Sequence, residues 1–113
     1  MATPSEELAE MDRVIHEPAR LALTTALLSC DGADFLFLQK LIGLTKGNLS
    51  SHLNKLQTAG IVAITKSGAG RTARTWVALT DEGRAATARH WKRLDQLKHL
   101  AENGLPDQAP YEE

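Results

Sequence analysis

The sequence predicts a mainly α-helical fold with one small β-hairpin (α+β), the hairpin standing just before a long C-terminal helix. Three observations carry this prediction. Apolar residues follow a helical period as far as Gly60, a two-residue strand period over residues 61–79, and a helical period again afterwards. Cap and turn residues fall at the joints between these stretches. Charge is segregated: from Phe35 to Thr80 the only charged side chains are Lys40, Lys46, Lys55, Lys66, Arg71 and Arg74.

That segregation is hidden in the composition. The 113 residues include 13 Lys+Arg and 14 Asp+Glu, which does not advertise a polyanionic partner. Outside the central segment, however, seven cations face fourteen acids, a net of −7 against +6 within it. One basic face and an acidic remainder are expected. With 42% hydrophobic residues the chain reads as one domain over 1–105, followed by a disordered tail at 106–113 with two prolines and three acids. No run has the length of a membrane span, and the N-terminus lacks a signal-peptide hydrophobic core, so no membrane partner is expected. The single cysteine, Cys30, excludes an intramolecular disulfide framework, and the chain reads as cytoplasmic.

Taken in order, Thr3-Pro4-Ser5-Glu6 is a capping box with proline at the first helical position. Leu8, Met11 and Ile15 then stripe a short amphipathic helix. His16-Glu17-Pro18 interrupts it, because the residue before proline avoids the α region. Pro18 starts a second helix to about Ser29, and Leu21, Leu23, Leu27 and Leu28 cover enough of its circumference to require burial. Asp31-Gly32 signals a turn. Ala33-Asp34-Phe35 fits either a very short strand or the entry to a third helix, which covers about Leu36 to Ile42 with Phe35, Leu38 and Leu41/Ile42 facing inward.

Gly43 ends that helix and Thr45 caps the next, so the two form a helix-turn-helix unit. Leu49, Leu53 and Leu56 mark the buried stripe of the second of these helices, and Gly60 suits the left-handed position that closes it. Its other face carries Lys46, Asn48, Ser51, Asn54 and Lys55, with Ser50 near the edge. Such a helix buries one side and can hydrogen-bond base edges with the other, as a major-groove reader must.

Ile61 to Lys66 and Thr75 to Leu79 are rich in β-branched residues and read as paired strands. The loop between them, residues 67–74, holds Gly68, Gly70, Arg71 and Arg74, a flexible basic tip. Thr80-Asp81-Glu82-Gly83-Arg84 opens the last helix with a cap and two acids at its positive end. It runs to about Glu102, with Asn103-Gly104 as terminator. Ala88, Trp91, Leu94, Leu97/Lys98 and Ala101 trace a band along it that one small domain need not cover.

The order of helices, helix-turn-helix, two-stranded wing and long terminal helix resembles the small stand-alone winged helix-turn-helix transcriptional regulators of the MarR/ArsR-like superfamily. The likeness spans roughly residues 10–100. It is most specific at Leu44 to Leu53 with Leu56, Ala59 and Gly60, at the wing arginines, and at Leu79-Thr80 with Gly83-Arg84. The resemblance implies a homodimer on double-stranded DNA, held through the terminal helices at Leu8, Met11, Ile15, Ala88, Trp91, Leu94, Leu97 and Ala101. It places Thr45, Lys46, Gly47, Asn48, Ser50, Ser51, Asn54 and Lys55 at the groove-reading helix, and Lys66, Arg71, Thr72 and Arg74 at the wing. Ala73 stands where close relatives are expected to carry proline.

No cofactor or metal is expected. The paired thiolates of metal-sensing relatives are missing, and Cys30, read as a small buried hydrophobe, cannot supply a soft site alone. His52 is read as supporting packing or a phosphate contact. His16, His90 and His99 have no ligand-set spacing, and Trp76 and Trp91 read as core and interface aromatics. No nucleophile, base and orienter can be assembled, so an enzyme is not expected. The expectation is a sequence-specific regulator, a repressor, acting on duplex DNA. Its rival is a winged-helix module that docks an acidic protein without meeting DNA. The acid-free polar helix face, lacking aromatic or Met anchors, favours DNA.

Overall fold

A computed structural model describes residues 3–105; the tail expected to be disordered lies outside the described residues. Helix α1, Pro4–His16, begins with the expected capping box, in which Thr3 Oγ1 accepts the Glu6 N–H and the Glu6 carboxylate accepts the Thr3 N–H. Glu17 is extended ahead of Pro18 and then caps α2, Pro18–Leu28, by accepting from the N–H groups of Ala19 and Arg20 at 2.8 and 3.3 Å.

Both readings of residues 33–35 are realised in succession. Ala33–Asp34 form a two-residue strand, β1, and the Asp34 carboxylate caps α3, Phe35–Ile42. Gly43 closes α3 at φ +77°, and Thr45 caps α4, Lys46–Thr58, by accepting the Asn48 N–H at 3.1 Å. Strands β2, Val62–Ser67, and β3, Arg74–Leu79, form an antiparallel hairpin, with β1 added on the far side of β3. The register Ile64↔Val77 and Val62↔Leu79 turns those residues toward the helices. Helix α5, Asp81–Asn103, completes the chain and stops at Gly104 (φ +76°).

The core joins Leu23 and Leu27 of α2, Leu38 of α3, Leu49, Leu53 and Leu56 of α4, and Ile61 and Val77 around the hairpin. Each such side chain contributes about 1.5–3 kcal/mol on burial. The stripe read from the sequence of α4 is thus its buried face. Trp91 closes the α2–α5 contact, its Nε1–H donating to Thr25 Oγ1 at 2.8 Å.

Four expectations require correction. Ile15 is fully enclosed in this core and has no surface to offer a second chain. Leu41 is 54% exposed, and Ile42 takes the inward position instead. Cys30 is exposed, because α2 ends at Leu28 and the thiol lies beyond the packed turn. Trp76 pairs with Asp34 and Thr65 on the sheet face turned away from the core, half-exposed, its indole covering Gly32. A Cβ at Gly32 would meet Trp76 Nε1 at 2.3 Å, so any other residue there has to displace the indole.

Candidate nucleic-acid interface

The turn between α3 and α4 holds the second helix of the unit with its buried stripe on the core. Gly47, Ser51 and Asn54 then project to solvent, with Lys46 on one flank and Asn48 and Lys55 on the other. Ser50 is half-buried. A cleft of about 320 Å³ separates α4 from the hairpin, with Phe35, Leu53 and Ile64 beneath and Lys46, Ser50, Asn54, Lys66 and Thr75 around it. One lysine from the helix and one from the wing therefore stand on the same cleft.

The wing tip is ordered locally. Residues Gly70–Thr72 make a single 3-10 turn in which Thr72 Oγ1 donates to Ala69 O and accepts the Ala69 N–H. Ala73 holds φ −62°, the value a proline ring would impose, and its N–H donates to Gly70 O at 3.2 Å. Alanine thus keeps the proline-like bend and adds a hydrogen bond that proline cannot make. Lys66, Arg71, Thr72 and Arg74 are all exposed.

Among the described residues, none of the six cations between Phe35 and Thr80 has a carboxylate within 4.0 Å; the arginine and lysine ion pairs all lie in α1, α2 and α5. The acid-free character of the segment holds in sequence, yet folding brings an acid to the edge of its polar face. Glu10 of α1 faces Lys55 and Asn54 across a groove between α1 and the end of α4, with its carboxylate paired to Arg13. The polar face is therefore bounded by an acid at its C-terminal end.

His52 is neither a core filler nor a surface residue. Its Nδ1 lies 3.2 Å from both the Glu17 carboxylate and the Arg20 guanidinium, tying α4 to the start of α2. Burial alone would raise the Glu17 carboxyl, but the Ala19 and Arg20 N–H groups, with His52 and Arg20, hold it below the ordinary carboxylate value. The sequence carries no local sign of this support.

A second joint fixes the wing against α5. Thr80 Oγ1 donates to Gly60 O at 2.6 Å and accepts the Gly83 N–H at 2.9 Å. Gly83 lies against the backbone of Ile61, where an added Cβ would fall 1.9 Å from the carbonyl oxygen. Arg84 reaches back to donate to Leu28 O and Cys30 O, carbonyls at and just beyond the end of α2. Leu79-Thr80 with Gly83-Arg84 is thus an architectural signature.

Among the described residues, no three His, Cys, Asp or Glu side chains converge on a common metal position, and no helix is long and apolar enough to cross a membrane. A helix-turn-helix with a basic wing beside it defines a DNA-binding winged helix. The family profile described as winged helix DNA-binding domain matches residues 19–98, and the chain belongs to that family. Its architecture is similar to that of a transcriptional regulator homologue protein from Pyrococcus horikoshii OT3, at 34% identity and a TM-score of 0.75 over 86% of this chain and 98% of that one. It is also similar to the transcriptional repressor CouR bound to a 23-mer DNA duplex: 26% identity and a TM-score of 0.63, over 85% of this chain and 70% of CouR. HlyU from Vibrio cholerae N16961, at 22% identity and a TM-score of 0.69, shares the fold over 83% of this chain and 97% of its own. No curated protein sequence matches the chain. The protein is a winged helix DNA-binding transcriptional regulator.

Proposed function

We propose that the protein is a sequence-specific repressor that grips duplex DNA as a homodimer. In this reading α4 enters the major groove, and Asn48, Ser50, Ser51 and Asn54 contact base edges. Lys46 and Lys55 reach the backbone on either side, with Thr45 and Gly47 at the helix entrance. Lys66, Arg71, Thr72 and Arg74 hold the flanking phosphates or the minor groove. The observation that carries the reading is the unpaired state of the central cations, beside short polar groups on the outward face of α4. Arg89 and Arg93, by contrast, are paired with Asp12, and Arg84 is held by the Leu28 and Cys30 carbonyls.

The dimer reading rests on the terminal helices. Leu8, Trp91, Leu97 and Leu100 are exposed along α1 and α5, as are Ala88 and Ala101, with Met11 and Leu94 half-buried. Such a band on a 23-residue helix calls for a covering chain. No cofactor enters this mechanism.

The protein-docking rival gains one observation: α3 exposes Leu36, Phe37 and Leu41, apolar anchors that α4 lacks, with Lys40 among them. A gel shift with duplex DNA from the protein's own upstream region separates the readings. The repressor reading expects a saturable shift that survives excess random duplex; absence of any shift at low salt favours docking.

A further inference from the structure

We infer that the contact between His16 and His90 is an acid-sensitive latch: once both rings are protonated neither nitrogen can accept, so the ring-to-ring hydrogen bond is lost and α1 loosens from α5. His16 Nδ1 and His90 Nε2 stand 3.1 Å apart, with the rings edge to face at a centroid distance of 5.2 Å. That separation accommodates one proton between the two nitrogens, whichever ring supplies it. His90 is 5% exposed, and its other nitrogen, Nδ1, is buried without a partner.

The surroundings are poorly suited to a second positive charge. From α1, the Asp12 carboxylate lies close but is already shared by Arg89 and Arg93 of α5. Arg89 has a buried Nε without a partner of its own. From α2, Glu17 and Arg20 are committed to each other and to His52. Burial disfavours the charged ring first and His16 second, so His90 titrates below its ordinary value despite Asp12. Protonated His90 has hydrogens on both nitrogens. When His16 is also charged, neither ring can accept, and two like charges face each other across 3.1 Å.

The sign follows from linkage. A ring depressed in the folded chain favours folding above its ordinary value of 6.5, and that contribution is lost as pH falls through the folded value. Acid therefore loosens the helix pair that is also proposed to hold two copies together. That consequence rests on the dimer reading; the latch itself does not.

Amide exchange of the full chain, corrected for intrinsic rates, tests the latch within one protomer. Between about pH 7.5 and about pH 5.5, protection of the C-terminal half of α1 should fall on the order of tenfold while α4 keeps its protection. His90→Gln, which cannot take up the proton, should hold α1 protection constant. Protection of α1 that ignores pH, or an equal loss in His90→Gln, overturns the latch. Should His90→Gln fail to fold, His16→Gln provides the test through the ring resonances of His90. Without the facing charge the His90 midpoint must rise toward 6.5, and an unmoved midpoint overturns the proposal.

Discussion

Thr80 Oγ1 lies 2.6 Å from Gly60 O, so the cap of the last helix is hydrogen-bonded to the residue that closes α4. Through this bond and the seat of Gly83 on Ile61, the orientation of α4 and the hairpin is transmitted to α5.

Gly83→Ala is expected to cost about 3 kcal/mol or more, because the new Cβ meets backbone that cannot rotate away. Urea unfolding measures it. A loss below about 1 kcal/mol would show that the α5 start can shift without cost.

Gly47 gives the opposite case. Nothing lies within 4 Å of a Cβ built there, and its φ is not positive. Gly47→Ala should therefore stabilise the free protein by about 0.5–1 kcal/mol through helix propensity. If the helix entrance approaches DNA closely, the same change weakens binding. Paired melting and binding measurements on one variant separate the two effects, and tighter binding would contradict the placement of Gly47.

The Glu17 carboxylate caps α2 and faces His52 and Arg20. Its folded value lies below the ordinary 4.5, so its contribution is complete above that value and is lost as pH falls through the folded one. Glu17→Ala should cost about 1 kcal/mol at neutral pH. The difference from the parent should shrink to nothing in acid, as unfolding titrations at several pH values will show.

Much of this architecture was legible because caps, stripes and glycines act locally. Thr45, the Leu49–Leu53–Leu56 stripe and Gly60 set α4 without reference to the rest of the chain. The failures share a physical origin. Period identifies a buried face but not what covers it: the stripe of α1 fits a second copy's surface as well as its own core, and the core encloses Ile15. Strand alternation gives two faces for Trp76, and only the pairing with Asp34 shows which one is outside. His16 and His90 are 74 residues apart, and no local pattern announces their contact. Within the candidate interface, the sequence showed the cations of the segment; their lack of ion-pair partners needed the fold.

Leu97 is 57% exposed on α5. Leu97→Glu should leave the helical content unchanged and convert a dimer at micromolar concentration to a monomer, read by sedimentation. Intact protein that sediments as a monomer under the same conditions removes the dimer from the account.

The central claim is that α4 reads bases while its lysines anchor the backbone. Binding of Asn48→Ala, Ser51→Ala and Lys55→Ala to a selected operator and to random duplex, across several salt concentrations, tests it most directly. The account predicts that Asn48→Ala and Ser51→Ala each lose about 1–3 kcal/mol on the operator and little on random DNA. Lys55→Ala should weaken both duplexes alike and flatten the log–log salt slope by about one unit for each contact removed. Equal losses for all three variants on both duplexes, or no loss for any, would contradict it.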